Sequence, residues 1–246
     1  VQQKTSPDLV SNGKTLDCIE RVPRRVTTGS GGVVFHVLNR GVRRLALFDR
    51  PGDYRSFLRL VAQAQRRVPV RCLSYCLMPN HFHLVLWPRA DEDLSRFMFW
   101  LTTTHSMRWH VWRGTAGTGH VYQGRFKAFP VHGDDHFLRV CRYVERNALR
   151  AGLVRRAEEW PWSSLAQRGG ARLPVILGDW PVPRPADWVE AIQADPSRET
   201  HEIQHALRHS APYGPTHWQE SIAVQLGLTK SLRPMGRPRT YSPVEG

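Results

Sequence analysis

Residues Val70–Trp87 read VRCLSYCLMPNHFHLVLW, two apolar runs rich in β-branched and aromatic residues on either side of Pro79-Asn80. A Pro-Asn turn between such runs predicts an antiparallel hairpin: one strand over Val70–Leu77, the next over His81–Trp87, stopped by Pro88. The hairpin restricts what its flanks can be. Upstream, Val33–Leu38 is a short β-branched run bounded by Gly31-Gly32 and Gly41, and reads as the first strand. Between it and the hairpin, Asp53–Val68 carries apolar side chains at 54, 57, 58, 61 and 62, which is helical spacing. Downstream, Asp91-Glu92-Asp93 puts negative charge where a helix dipole favours it, and Leu94, Phe97, Met98 and Leu101 form the apolar face of a second helix. Gly114–Gly119 is a loop, and residues 120–132 read as a strand or bent hairpin. Asp134-Asp135 opens a third helix that runs to about Arg150 and ends at Gly152.

The order β-α-β-β-α-β predicts an α+β chain with a ferredoxin-like antiparallel sheet and helices on one face, followed by the added third helix. From about residue 166 the character changes: Gly169-Gly170 and DWPVPRPADW precede two short helical patterns at about 196–209 and 215–227. The expected organisation is a disordered segment over 1–25, a main domain over 26–165, a Pro-rich linker with a helical extension over 166–229, and a basic disordered tail over 230–246.

Alternation along the third strand sends Phe82, Leu84 and Leu86 to one face, and His81, His83, Val85 and Trp87 to the other. The first face suits a helix-covered core. The second is therefore expected to point at the uncovered side of the sheet. His81 and His83 are then either two ordinary strand histidines or two imidazoles that converge on one metal ion. On the third helix, Phe137, Cys141, Val144 and Ala148 cluster as the buried stripe. Tyr143 and Asn147 lie one turn apart on another side, and Arg139, Arg146, Arg150 and His136 share that broad face. A phenol among guanidiniums is suited to meet a phosphate; a half-buried tyrosine that anchors its helix is the plainer alternative.

Charge points the same way. The formal net charge is +14, with 26 Lys and Arg against 13 Asp and Glu in residues 1–165, and 9 against 8 in the rest. The positive charge is nearly all arginine, which grips phosphate bidentately and stacks on bases, so a polyanion, most simply nucleic acid, is the expected partner of the first two thirds. No apolar run approaches the ~20 residues of a membrane span. The four cysteines, Cys18, Cys72, Cys76 and Cys141, form no CxxC pair and read as buried thiols of a reducing compartment. With a polar opening that lacks a secretory pattern, a cytoplasmic, nucleoid-associated protein is expected.

The stretches FHVLNRG, YCLMPNHFHLVLW, GHVYQGRFKAF, RYVERNALRAGLV and EEWPWSS, in that order over about residues 30–165, resemble the single-tyrosine HUH nucleases (His-hydrophobe-His). More narrowly, they resemble the REP-associated tyrosine transposases, relatives of the small bacterial insertion-sequence transposases. The resemblance implies a metal-dependent transposase that cleaves and rejoins single-stranded DNA beside a hairpin through a 5′-phosphotyrosine. Tyr143 matches the nucleophile, His81 and His83 the HUH metal ligands, and Asn147 a third, polar ligand. Ala148 stands where these proteins often have proline. The implied ion is a divalent metal, Mg²⁺ or Mn²⁺, with two imidazoles leaning toward Mn²⁺. Arginines on the third helix are expected to favour the Tyr143 phenolate.

Arg125, Lys127, Arg139, Arg146 and Arg150 are the candidate DNA contacts. Tyr122 is a second candidate nucleophile, His36 a candidate support for the histidine pair, and Trp87, Trp100, Trp109 and Trp112 candidate stacking platforms. Gly236–Arg239 resembles an AT-hook. No long glycine-rich hinge precedes the third helix, only Gly133, so a monomer is expected over a helix-swapped dimer, and no protein partner is expected. The alternatives are a DNA or RNA hairpin-binding protein on the same fold without the chemistry, and a zinc-stabilised RNA-binding module.

Overall fold

The computed structural model describes residues 30–194 and 197–232. Strands β1 (Val34–Arg40), β2 (Val70–Met78), β3 (His81–Pro88) and β4 (Lys127–Val131) form one sheet in the order β2-β3-β1-β4. Every neighbouring pair is antiparallel. Helix α1 (Pro51–Arg67) crosses from β1 to β2, and α2 (Asp93–Arg113) from β3 to β4. Each crossover leaves one strand between its ends, which is the expected ferredoxin-like α+β arrangement.

The hairpin turn is as short as expected, with Met78 opposite His81. It is also tied down: the Pro79 carbonyl accepts from the amides of Leu47 (2.8 Å) and Phe48 (3.0 Å), and the Asn80 carbonyl from Gly41 (2.9 Å). A Cβ at Gly41 would lie 2.2 Å from the Leu45 carbonyl oxygen, so only glycine lets the chain double back there.

Alternation sorts the sheet into two cores. Phe35, Val37, Phe82, Leu84 and Leu86 pack under Phe57, Leu58 and Val61 of α1 and Leu94, Phe97 and Leu101 of α2. Val34, Val85, Phe129 and Val131 face the other way. There the sequence expectation fails, because this second face is not uncovered. Helix α3 (Asp135–Glu145) lays Phe137, Val140, Cys141 and Val144 on it, and α4 (Asn147–Arg150) adds Ala148. The buried stripe expected on the third helix had to cover something, and it covers the histidine face. Fully burying each such side chain is worth roughly 1.5–3 kcal/mol, so leaving this face to solvent would forfeit several of these contributions.

A break separates α3 from α4 at Arg146, so the expected single helix is two pieces. Beyond it come α5 (Ser164–Arg168), α6 (Trp188–Gln193), α7 (Ser197–His209) and α8 (Thr216–Gln225). The segment expected as a linker returns to both layers. Trp188, Ile192, Ile203 and Ala206 join the α3 side, while Val175, Ile222, Ala223 and Leu226 join the α1/α2 side. It also lines both sheet edges. Along β2, Leu177 bridges Cys72, beside Ser163 from just before the segment, which bridges Cys76; along β4, Tyr213 bridges Val131. The expected strand over 120–132 shrinks to β4, because its first half is irregular.

The register of β2 against β3 shifts between Cys72 and Ser74. The shift sends Cys72 to the α1/α2 side and Cys76 to the α3 side, although both are even-numbered on one strand. Cys72, Cys76 and Cys141 are buried free thiols; Cys18, the expected 1–25 segment, the AT-hook-like stretch and nearly all of the expected tail lie outside the described residues. Among the described residues, no helix is long and apolar enough to cross a membrane.

Next to the register shift, Ser74 meets a fully buried carboxylate. Glu145, the last residue of α3, accepts from Ser74 Oγ (3.2 Å), Ser164 Oγ and Trp188 Nε1 (2.8 Å). One side chain thus ties α3 to β2, α5 and α6. Burial raises its pKa, and the donors from Ser164, Trp188 and Ser74, with Arg168 nearby, only partly offset this. A carboxyl whose folded pKa is raised lends stability that is complete below its unfolded pKa and is lost as pH climbs through the folded value. Glu145→Gln, fixed in the neutral form, should therefore gain in melting temperature relative to wild type as pH rises from about 4 to about 8. A difference that stays flat or falls across that range would show the carboxylate to be well accommodated when ionised.

Candidate active site

His81 and His83 project from β3 into the α3 layer. His81 stands opposite Arg40 of β1, and His83 opposite Leu38. His83 is 1 % exposed. His36 of β1 lies diagonally across, its Nε2 2.9 Å from His83 Nδ1, with the two rings stacked at 5.0 Å. Burial pushes His36 down to about 3 and His81 down to about 4, the latter helped by Arg40 and Arg150. His83 is held well below its ordinary value by burial and then by its neighbours His36, His81, Arg150 and Arg40. All three imidazoles are therefore neutral near pH 7, each with one N–H and one lone pair.

Their partners assign those positions. His81 Nδ1 is 2.7 Å from Asn80 Oδ1, which only accepts, so Nδ1 carries the proton and Nε2 keeps its lone pair. If His83 donates from Nδ1 to His36 Nε2, then His83 Nε2 also holds a lone pair. That nitrogen is buried and has no hydrogen-bond partner among the described residues. In that tautomer a buried lone pair stands beside a second one, a donor set that fits a divalent cation, while His36 Nδ1 is left buried without a hydrogen-bond partner among the described residues. The supports from Asn80 and His36 fix ring orientation in the way metal-bound histidines require.

Tyr143 of α3 comes to the same place. Its ring stands edge-on to His83 (5.7 Å between centroids) and to His36 (6.0 Å), and it is 5 % exposed. The Arg150 guanidinium lies 5.1 Å from the ring centroid. Burial raises the Tyr143 pKa; Arg150, Arg40 and hydrogen bonds from Gln204 and Arg150 pull it down without overcoming burial. The expectation that arginines would favour the phenolate is thus reversed, because the covering layer that sets the phenol beside the histidines also desolvates it.

Asn147 is buried one turn on, but its side chain turns back on its own helix. Nδ2 donates to the Tyr143 carbonyl (2.9 Å) and the Val144 carbonyl (3.3 Å), bridging the break, and Oδ1 accepts from Arg150 (2.7 Å). His81, His83, Tyr143 and Arg150 are therefore gathered, whereas the Asn147 oxygen is engaged by Arg150.

The other cations divide. Arg125 and Lys127 are exposed. Lys127 opposes Leu38, which opposes His83, so it lies two strands from that histidine, about 10 Å, on the same face. Arg139 and Arg142 pair with Glu199 of α7. Arg146 donates to the carbonyls of Ile192 (3.0 Å) and Gln193 (3.3 Å), capping α6. Of the four tryptophans, Trp87, Trp100 and Trp109 sit under Arg71, Arg67 and Arg113, while Trp112 is 59 % exposed.

Four contributors escaped the sequence reading or were undervalued there: His36, Arg40, Asn80 and Gln204. Strand parity held the signal for two of them, since His36 and Arg40 alternate with Phe35 and Val37 and so share the histidine face. Gln204 comes from a helix with no local link to the site.

Tyr122 packs in the opposite core against Phe82, its hydroxyl 2.7 Å from His105 Nδ1, and burial raises its pKa well above the ordinary value. It stands on the wrong side of the sheet to act with the histidines. A separate set, His132, Asp134 and His136, brings three ligand-type atoms within 4.8 Å of one another near the far end of β1.

The split β-α-β-β-α-β sheet thus carries a His-x-His strand and, on the helix after β4, a tyrosine whose ring meets those histidines. Residues 31–147 match the family described as "Transposase IS200 like", a segment that contains His81, His83, Tyr143 and Asn147. Among curated proteins, the chain is similar to the REP-associated tyrosine transposase of Escherichia coli K12, 22% identical over 140 residues, covering 54% of this chain and 76% of that protein. It is also similar to a putative REP-associated tyrosine transposase of Haemophilus influenzae, 21% identical over 165 residues, covering 64% of this chain and 91% of that protein. A solved structure of a REP-associated tyrosine transposase bound to a REP hairpin aligns with a TM-score of 0.48 at 20% identity, over 65% of this chain and 93% of that one.

Assigning Tyr122 to the core makes it testable as a structural group. Tyr122→Phe removes the hydroxyl hydrogen-bonded to buried His105 and is expected to lower stability by roughly 1–3 kcal/mol in chemical denaturation. A neutral effect would mean that His105 finds another partner.

Proposed function

We propose that the protein is a metal-dependent transesterase of single-stranded DNA, a transposase that cleaves and rejoins strands beside hairpins through a 5′-phosphotyrosine. The observation that carries this reading is the contact of the Tyr143 ring with the His36–His83 pair, where His83 Nε2 is buried without a partner. The names of the curated relatives support the same substrate class.

His81 Nε2 and His83 Nε2 would hold the ion, Mn²⁺ or Mg²⁺, with the all-imidazole pair leaning toward Mn²⁺. When bound, such an ion supplies Lewis-acid polarisation of a phosphate oxygen. Asn147 joins the set once Arg150 releases its oxygen, and the freed guanidinium, already beside the Tyr143 ring, is then available to the phosphate. Tyr143 Oη attacks phosphorus, the P–O3′ bond breaks, the phenolic proton leaves and the 3′-oxygen gains one. A phosphodiester replaces a phosphodiester, so a second 3′-hydroxyl reverses the step without ATP.

Exposed Arg125 and Lys127 are the first phosphate contacts in this reading; Arg139 and Arg146 reach DNA only by leaving Glu199 and the end of α6. That β1, β3 and α3 of one chain supply the gathered groups supports a monomer over a helix-swapped dimer.

A second reading, a hairpin-binding protein without the chemistry, draws on the burial and raised pKa of Tyr143. One experiment separates the two. Wild type with Mn²⁺ and single-stranded hairpin DNA should give a denaturation-resistant protein–DNA adduct, Tyr143→Phe none, and Tyr122→Phe an undiminished yield. Binding without any adduct across varied hairpins selects the second reading. His81→Ala is expected to abolish adduct formation while weakening hairpin binding less than about threefold, because affinity rests mainly on arginine–phosphate contacts; parallel loss of both would assign His81 a structural role instead.

A further inference from the structure

We propose that His132, Asp134 and His136 form a second metal site, for a borderline divalent cation of the Zn²⁺ class, that staples the start of the tyrosine helix to the sheet. His132 is the first residue beyond β4. Asp134 caps α3, its Oδ1 accepting from the His136 amide at 2.8 Å, and His136 lies in the first turn. His132 Nδ1 is 2.8 Å from Asp134 Oδ2, and His136 Nδ1 is hydrogen-bonded to Asp134 Oδ1 at 2.8 Å, a proton that a bound metal would replace. Adjacent ligand atoms around an ion at about 2.0–2.2 Å stand roughly 3 Å apart; both histidines approach Asp134 that closely, and the three ligand atoms lie within 4.8 Å of one another.

A further observation points to a ligand. His132 Nδ1 is buried and makes no well-formed hydrogen bond, even though a carboxylate oxygen is 2.8 Å away. A cation shared by the two groups would take up this close approach, its binding displacing the imidazole proton. Two imidazoles and one carboxylate favour Zn²⁺ or its neighbours over Mg²⁺ or Ca²⁺, which seek all-oxygen sites. The positive end of the α3 dipole opposes a cation here, and the Asp134 charge offsets it.

The surroundings hold the rings. Trp218 stands edge-on to His132 and Tyr213 to His136, each at 5.0 Å. The C-terminal segment is pinned by His132 N–H to the Tyr213 carbonyl and Tyr213 N–H to the Pro130 carbonyl, both 2.9 Å. A Cβ at Gly214 would lie 2.7 Å from His132 Cβ and 2.6 Å from the Trp218 ring, so the close seating of this segment depends on glycine. This site is not that of His81 and His83. Val131 opposes Val34, whereas His81 opposes Arg40, six residues or about 20 Å further along β1. An ion at His132 therefore cannot touch a phosphate held at the histidine pair; it joins β4, α3 and the segment around Tyr213.

The test uses the metal-stripped full chain titrated with Zn²⁺ against a chromophoric chelator, alongside thermal unfolding with and without Zn²⁺. Four variants are compared with wild type. His132→Ala/His136→Ala is expected to lose one equivalent of bound Zn²⁺ and most of the Zn²⁺-induced rise in melting temperature. Asp134→Asn, which keeps a good helix cap, should weaken that equivalent at least tenfold while the metal-free melting temperature stays near wild type. His81→Ala/His83→Ala and His205→Ala/His209→Ala, the latter a pair of α7 histidines whose rings lie 4.4 Å apart, should each retain it. An unchanged stoichiometry in His132→Ala/His136→Ala, no Zn²⁺ uptake by wild type beyond what the other two pairs account for, or full affinity in Asp134→Asn overturns the proposal.

Discussion

The antiparallel register of β1 against β3 governs the rest of this structure. It pairs Leu38 with His83 and Arg40 with His81, so that His36, Arg40 and both strand histidines emerge on one face. A slip of one residue would send them among Phe57 and Phe97 and bring Phe82 and Leu84 out beneath α3. The register is protected by its neighbours. The Pro79-Asn80 turn is bonded to the chain on either side of the Gly41 corner, and both faces of the sheet are packed, so no shifted pairing leaves the two cores intact.

Covering the histidine face sets the electrostatics. In water, three imidazoles, a phenol and two guanidiniums this close would titrate much as they do alone. Beneath α3 and α7 the same groups are desolvated, the histidines stay neutral and the phenol holds its proton more tightly. The anchor of the cover is Glu145, which bonds to β2, α5 and α6 at once and so couples the position of Tyr143 to segments far away in sequence.

Much of this was legible in the chain. The alternation of Phe82, Leu84 and Leu86 with His81 and His83, and the helical spacing from Tyr54 to Ala62, specify elements and faces through local periodicity, which is why the sheet order followed. The pairing of Tyr143 with the histidines was legible through the resemblance of five ordered stretches. What was hidden depends on docking between distant segments. That α3 folds back over the histidine face, that Gln204 reaches Tyr143 and that Arg146 caps α6 are long-range contacts, and the last two involve residues beyond 166, where frequent proline reads as a linker. The break at Arg146, and the turn of Asn147 back onto its helix, depend on hydrogen bonds that no periodicity encodes. His36 was visible by parity, but nothing local distinguished it from an ordinary strand histidine.

The two sheet edges carry a last consequence. The outward backbone of β2 is occupied by Ser163, Ser164, Leu177 and the indoles of Trp160 and Trp180, and that of β4 by Tyr213, with Pro130 offering no amide at all. A four-stranded sheet usually presents two unpaired margins on which foreign strands can add. Here the C-terminal half of the chain acts as a selvedge, finishing both margins with its own backbone and side chains. Along these stretches the margins are therefore not open to the addition of a foreign strand.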